Sequence, residues 1–322
     1  MSASGSNLRL TYIEESSWGV TPATPQMKVI AGVTSESLGG SQEALVSQAL
    51  NPNRGVDYMA AGQKQAGGDI SFELGVAGAV SLIGAMLGNV STVDNLDGTY
   101  THEVTVAQGP KSLTIEKWLS DIAVGFVFNG CKPNTFNLSV DPNGIATGSV
   151  GMLAKTYTDT STSLDSTPTF VSHAFHDGIR ASVEISGTSY NDLSNLSMDA
   201  TNNLEDSRAI GSDSSTGLTP GRFEANGNFT LPLSLDKAMP LIVKAKNGTE
   251  DTLKVTFTNG TSFVEFLFPR IKYSGDPVPK VGGAGTINLE LSFTALLDNT
   301  PASPTYQKAI RIRVKNTEAN LI

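Results

Sequence analysis

The chain has 322 residues, with 22 Lys and Arg against 31 Asp and Glu, a formal net charge of −9. Charged residues are only 16 % and aromatics 7 %, while glycine occurs 32 times, a turn-rich all-β profile that excludes a helical bundle and a disordered chain. The acidity argues against a surface that grips nucleic acid, which needs clustered Lys and Arg, but suits one past which nucleic acid slides without sticking. It is uneven: residues 1–165 hold 8 basic and 15 acidic side chains, residues 166–322 hold 14 and 16. Cys131 is the only cysteine, so no intramolecular disulfide and no thiolate metal cluster is expected. The first residues show no secretory signal, and no run reaches the roughly 18 apolar residues of a membrane helix. The expectation is a protein made and kept in a cytoplasm, without membrane insertion.

In chain order, the alternating run from Leu8 to Ile13 predicts a strand, followed by a polar arm, Glu14 to Pro22, with one aromatic anchor. Trp18 on such an arm packs against a neighbouring surface, in the same chain or the next. Residues 34–66 are polar and glycine-bearing and show no clean period; Arg54, Asp57, Tyr58 and Lys64 lie among them. A connection this long without its own secondary structure is functional or disordered. Gly67-Gly68 then lead a strand in which Ile70, Phe72 and Leu74 point one way and Asp69, Ser71 and Glu73 the other. Val76, Val80, Ile83 and Leu87 fall at helical spacing and predict a short helix. Strands are predicted at 100–106, 113–118, 122–128, 135–140 and 145–154, with Cys131 at a turn and a linker over 156–168.

The second half follows the same order. Strands at 179–186 and 193–200 precede a polar loop, 202–226, containing Arg208. Next, Gly227, Phe229, Leu231 and Leu233 repeat the positions of Gly68, Ile70, Phe72 and Leu74. A short helix capped by Ser234 is expected there, with Pro240 awkward inside it, then strands at 252–258, 263–268 and 286–295. In the last of these Leu291, Phe293 and Ala295 echo Val150, Met152 and Ala154. This agreement predicts a tandem duplication, with domains at 1–165 and 166–322. On the echoed strand Asn228 and Thr230 take the places of Asp69 and Ser71, so the polar face is expected to carry carboxylates in the first half and none in the second.

Nothing points to catalysis. His102 sits in an alternating strand, and His173-x-x-His176-Asp177 lacks the partners of a zinc site. Cys131 reads as an inert thiol. Gly282-Gly283-Ala284-Gly285 precedes a strand, whereas phosphate loops need a following helix. Arg311, Arg313 and Lys315 share one face of a C-terminal strand, open to two readings: a basic groove, or pairing against an acidic neighbour. No metal and no cofactor is expected.

The arrangement resembles the major tail tube proteins of bacteriophages with long, non-contractile tails. The resemblance is carried by Leu10-Thr-Tyr-Ile-Glu-Glu-Ser-Ser-Trp-Gly-Val-Thr-Pro-Ala-Thr-Pro25, by Val33-Thr-Ser-Glu-Ser-Leu38, by Arg54 and by the glycine-led strand at 68–74. It implies β-sandwiches with small flanking helices, two per chain in a duplicated member, giving strands to an intermolecular β-barrel around a lumen. It further implies stacked rings, three chains to a pseudo-sixfold ring, acting as a conduit for DNA. The partners would be other copies of the chain, the tape measure, tail terminator and distal tail proteins, and DNA in transit, in a virion assembled in the host cytoplasm. On that view Asp69, Ser71, Glu73, Asn228 and Thr230 face the lumen. Trp18, Arg54, Asp57, Tyr58, Lys64, Arg208, Arg311 and Arg313 are candidate contacts between subunits or rings. The rivals are another β-sandwich virion component (a tail terminator, a decoration protein or the tube of a contractile tail) and a two-domain adhesin-type module.

Overall fold

The computed structural model describes residues 2–50, 52–53, 55–171 and 174–322. Leu8–Glu14 pairs with Leu113–Leu119, which pairs with the first part of a long strand, Val124–Val140; Thr156–Thr160 lies on the other side of that part. The long strand bends at Gly130, whose φ of +67° suits a residue without Cβ, and crosses into a second sheet. There it pairs with Thr147–Ala154, then Met59–Glu73, then Val33–Glu36 and Gly39–Val46 at the edge. The sequence reading splits the crossing strand and puts Cys131 at a turn, because the alternation breaks where the strand changes sheets. Cys131 is instead fully buried in mid-strand, its thiol raised by that burial.

Residues after 180 pair in the same order. Ala181–Ile185, Glu250–Asn259, the first part of Ser262–Ser274 and Arg311–Asn316 make the outer sheet. Asn195–Thr201, Glu224–Pro232, Asn288–Ala295 and the end of Ser262–Ser274 make the inner one. The register agrees as well: Val150 opposes Ile70, and Leu291 opposes Phe229. Even an irregularity recurs. The ladder slips between Leu113 and Ile115 opposite Cys131 and Phe128, and between Asp251 and Leu253 opposite Ile271 and Phe268.

Two ladders cross from one half to the other. Thr135–Val140 pairs with Leu196–Thr201, which makes the two inner sheets one continuous sheet. A hairpin, Gly88–Asp94 with Tyr100–Val106, pairs with Arg311–Asn316. The segment expected as a linker is a strand over Thr156–Thr160, and beyond it the buried Glu116 carboxylate accepts from Ser163 Oγ at 2.9 Å and Leu164 N at 2.6 Å. Ser/Thr/Asp richness there reflects side-chain hydrogen bonding rather than looseness.

The core lies between the sheets: Ile70, Phe72, Phe136, Leu138, Val150, Met198, Phe229 and Leu291 from the inner, Tyr12, Ile115, Phe128, Val255 and Phe266 from the outer. The first helix, α1 (Ala79–Leu87), is buried along its whole length, as a helix apolar on every side must be. The second, α2 (Ala238–Asn247), buries only Ala238, Leu241 and Ile242. Pro240 fits there because it stands in the first turn, where N–H groups have no helical acceptor. Ser234 receives N–H bonds from Lys237 and Ala238, both at 3.3 Å. No helix among the described residues is long and apolar enough to cross a membrane.

Candidate assembly surfaces

Because strand residues alternate, the inner sheet has a second, outward face, and its cross-strand pairs fix its composition. Asp69, Ser71 and Glu73 oppose Gly151, Ser149 and Thr147, which oppose Thr135, Asn137 and Ser139. Across the junction Asn137 meets Asp199 and Ser139 meets Ser197, which oppose Asn226 and Asn228. Thr230 meets Glu290, Asn228 meets Ser292, and Asn226 meets Thr294, beside which lies Lys272. The candidate lumen residues Asp69, Ser71, Glu73, Asn228 and Thr230 therefore share one unbroken polar face. Its small side chains bond to one another: Asn137 Nδ2 donates to Ser149 Oγ at 2.7 Å, and Thr294 Oγ1 to Asn226 Oδ1 at 3.0 Å.

The expected imbalance between the halves does not hold. Asp199, Glu224 and Glu290 stand on this face from the second half, Glu224 paired with Arg222 at 3.2 Å. Asp199 and Glu290 come from the strands beside the echoed one, and Glu224 from its first position. Small polar residues make up most of the face, and among its charged groups carboxylates outnumber cations, with Lys272 at the margin.

The segment read as a long loop, 38–66, falls in a hairpin over 39–67 in which Gly39–Val46 pairs with the start of Met59–Glu73. It is illegible in sequence because both faces are in solvent, so no core imposes a period. Ser47 N donates to Tyr58 O at 2.9 Å near its tip. Leu45, Val46, Leu50, Val56, Tyr58 and Met59 are all exposed there, an apolar concentration unusual for a monomer's surface. Asp57 is exposed beside Tyr58, and Arg54 lies outside the described residues.

At its base the hairpin meets a smaller arm of the second half, Glu205–Ser207 paired with Gly217–Thr219. Lys64 and Arg208 come together here. Lys64 Nζ lies 2.7 Å from Asp213, and Arg208 Nη1 donates to Lys64 O at 2.9 Å while its Nε reaches Asp206 at 3.0 Å. Both side chains are thus committed within the chain.

Trp18 is anchored in its own chain. Its Nε1 donates to Gly130 O at 3.0 Å, and the Lys132 and Lys155 ammonium groups lie 5.7 and 4.8 Å from its ring centre. Below it the buried Glu15 carboxylate accepts from Gly19 N at 2.7 Å, Gly130 N at 2.8 Å, Ser112 Oγ at 2.6 Å and Thr114 Oγ1 at 2.8 Å. Glu15→Ala would strand these donors and is expected to cost about 2–4 kcal/mol by chemical denaturation. An unchanged midpoint would show that the turn does not depend on Glu15.

The C-terminal cations do not form a groove. Arg311 lies 3.7 Å from Glu103 and 3.4 Å from Glu265, Arg313 lies 3.9 Å from Glu265, and Lys315 lies 3.4 Å from Asp97. Cross-strand pairing with acidic neighbours, the second of the two readings, explains the pattern.

Among the described residues no cluster of His, Cys, Asp and Glu could hold a metal; His173 lies outside them. His176 is buried against Phe257, and burial pushes its imidazole down to about 4. The neutral ring is favoured in the fold, so the unfolded chain binds more protons between pH about 6.5 and 4. Acidification through that window is expected to cost stability, and His176→Leu to flatten the loss; identical pH–stability curves would contradict it.

The sequence profile described as phage tail tube protein matches residues 5–295. The chain belongs to the phage tail tube protein family. It is a structural virion protein of the tail tube, and the match runs across both halves and stops before the strand Arg311–Asn316. The comparison with curated proteins gives no match.

Proposed function

We propose that this tail tube protein closes into rings that stack into the tube of a non-contractile tail, with the polar face of the inner sheet lining the bore through which DNA passes to the host. The observation that carries this is the continuity of that face across both halves, ending in two unpaired edges. Among the described residues, Val33–Glu36 and Gly39–Val46 pair on one side only, and the ladder between Ser262–Ser274 and Asn288–Ala295 stops at Ser274. An open edge is a liability that closure into a barrel removes. A heterologous contact of this kind makes a ring when the rotation closes.

Asp69, Glu73, Asp199 and Glu290 would repel the phosphate backbone, and the Ser, Thr and Asn between them offer it no cation to hold. The matching pair order, register and bulge in the two halves support a tandem duplication, each half one domain, so that three chains give a pseudo-sixfold ring. The apolar tip of the 39–67 hairpin would clasp the next ring. The ends of the stack would meet the tape measure, terminator and distal tail proteins, in assembly within the host cytoplasm. The role requires no reaction and no cofactor. Negative-stain microscopy of the purified chain tests this: hollow tubes or stacked rings are expected, and monomers at every concentration would oppose it.

A further inference from the structure

We propose that the outer face of α2 is a contact between neighbouring chains of one ring, covered by the Thr156–Thr160 edge of the next copy's outer sheet. The proposal rests on the ring reading above and assigns one surface within it.

The two helices occupy equivalent places. Each follows the echoed strand at the same spacing, Ala79 after Leu74 and Ala238 after Leu233. Each packs on the strand that ends its half of the inner sheet, Val124–Val140 for α1 and Ser262–Ser274 for α2. Their inward faces match: Ala79, Leu82 and Ile83 are buried in the first half, and Ala238, Leu241 and Ile242 in the second. Their outward faces do not. Val80 and Gly84 of α1 are buried, whereas Met239 and Val243, which stand in their places, are 38 % and 52 % exposed. Leu235, in the turn ahead of α2, is 88 % exposed. Positions four apart share one side of a helix, so these residues form one apolar stripe.

The cover of α1 comes from across the internal joint. Gly84 lies against Leu321 and Ile322, and Asn316 Nδ2 donates to Val76 O at 2.8 Å, all three from the second half. The chain arrives there from Arg311–Asn316, the strand paired with the first part of Ser262–Ser274. The hairpin that follows α1 completes the joint by pairing with that same strand. Among the described residues α2 has neither cover: it passes through Gly248 straight into Glu250–Asn259.

The equivalence of the halves names the missing partner. The counterpart of Arg311–Asn316 in the first half is Thr156–Thr160, since each pairs with the first part of the long strand of its half, on the side away from the bulged ladder. The far edge of Arg311–Asn316 is taken by Tyr100–Val106, but that of Thr156–Thr160 has no ladder among the described residues. Tyr157, 36 % exposed there, is stacked on Phe128 with ring centres 5.8 Å apart. A fixed aromatic of this kind suits a methionine and a valine. The two surfaces also lie at the two open edges of the inner sheet: Tyr157 lies over Gly40 at one, and Lys272, near Ser274, lies beside Gly248 at the end of α2 at the other. Such a pair of unlike surfaces is satisfied by a heterologous contact, the kind that closes rings.

Met239 is a native probe of this contact. Its oxidation by hydrogen peroxide is expected to slow about tenfold or more when wild-type chains assemble into tubes, because sulfoxide formation follows exposure. An unchanged rate in tubes would overturn the proposal. With Met239 replaced by photoreactive benzoylphenylalanine, illuminated tubes are expected to give chains linked through the peptide that carries Thr156–Thr160. A link to the tip of the 39–67 hairpin, or to any other segment, would overturn it. Met239→Glu with Val243→Glu changes no core residue, and is expected to melt as the wild type does while remaining monomeric. Normal tubes from that variant would remove the contact and leave the ring reading standing. A wild-type chain that never assembles would remove both.

Discussion

Truncation after Ala309 is expected to leave a chain that no longer folds. Arg311–Asn316 is not a terminal ornament: it lies between Phe263–Leu267 and the hairpin strand Tyr100–Val106, and pairs with both. Ile312 and Val314 are buried, and so are Leu321 and Ile322, which pack over Gly84 of α1. Asn316 Oδ1 accepts from His102 Nε2 at 3.0 Å and its Nδ2 donates to Val76 O at 2.8 Å, while Tyr12 donates to Leu321 O at 3.3 Å. Each buried aliphatic contributes about 1.5–3 kcal/mol, so losing four approaches the whole stability of an ordinary domain, about 5–15 kcal/mol. Circular dichroism and melting check this; a truncated chain with the full-length melting temperature would contradict it. The same contacts predict that residues 1–165 alone, lacking the cover of α1 and the hairpin's partner, aggregate or unfold.

The second large effect concerns assembly without stability. Replacing Leu45, Leu50, Val56, Tyr58 and Met59 together by Ser removes the apolar tip of the 39–67 hairpin while touching nothing in the core. Exposed substitutions of this kind change folding stability by roughly 0.5 kcal/mol or less each. The variant is expected to melt close to the wild-type temperature yet yield isolated rings or monomers in place of tubes. Tubes of normal length would end the clasp role of the hairpin.

How much of this was legible in the sequence follows from where a core imposes a pattern. Ile70-Phe72-Leu74 and Phe229-Leu231 each have one dry face, so their period of two is plain and their echo could be found. The 39–67 hairpin has no dry face, and its strands left no trace. The crossing strand Val124–Val140 loses its alternation at Gly130, where it changes partner sheets, and so reads as two. Asp199 and Glu290 joined the polar face only through cross-strand register, which no single segment reveals. Trp18 reads as an anchor from sequence, but nothing in the polar arm sets apart Glu15, whose carboxylate holds the turn beneath it. The cations of Arg311–Asn316 remained ambiguous until Glu103 and Glu265, distant in sequence, were placed beside them.

The claim on which the rest depends is that the polar sheet face lines a bore. An electron cryomicroscopy map of assembled tubes, resolved well enough to trace strands, tests it most directly. The account predicts Asp69, Glu73, Asn137, Asp199, Asn228 and Glu290 on the inner wall, with Ile70, Phe229 and Leu291 behind them. A wall built from the outer sheet, with Asp69 and Glu290 on the outside of the tube, would contradict it.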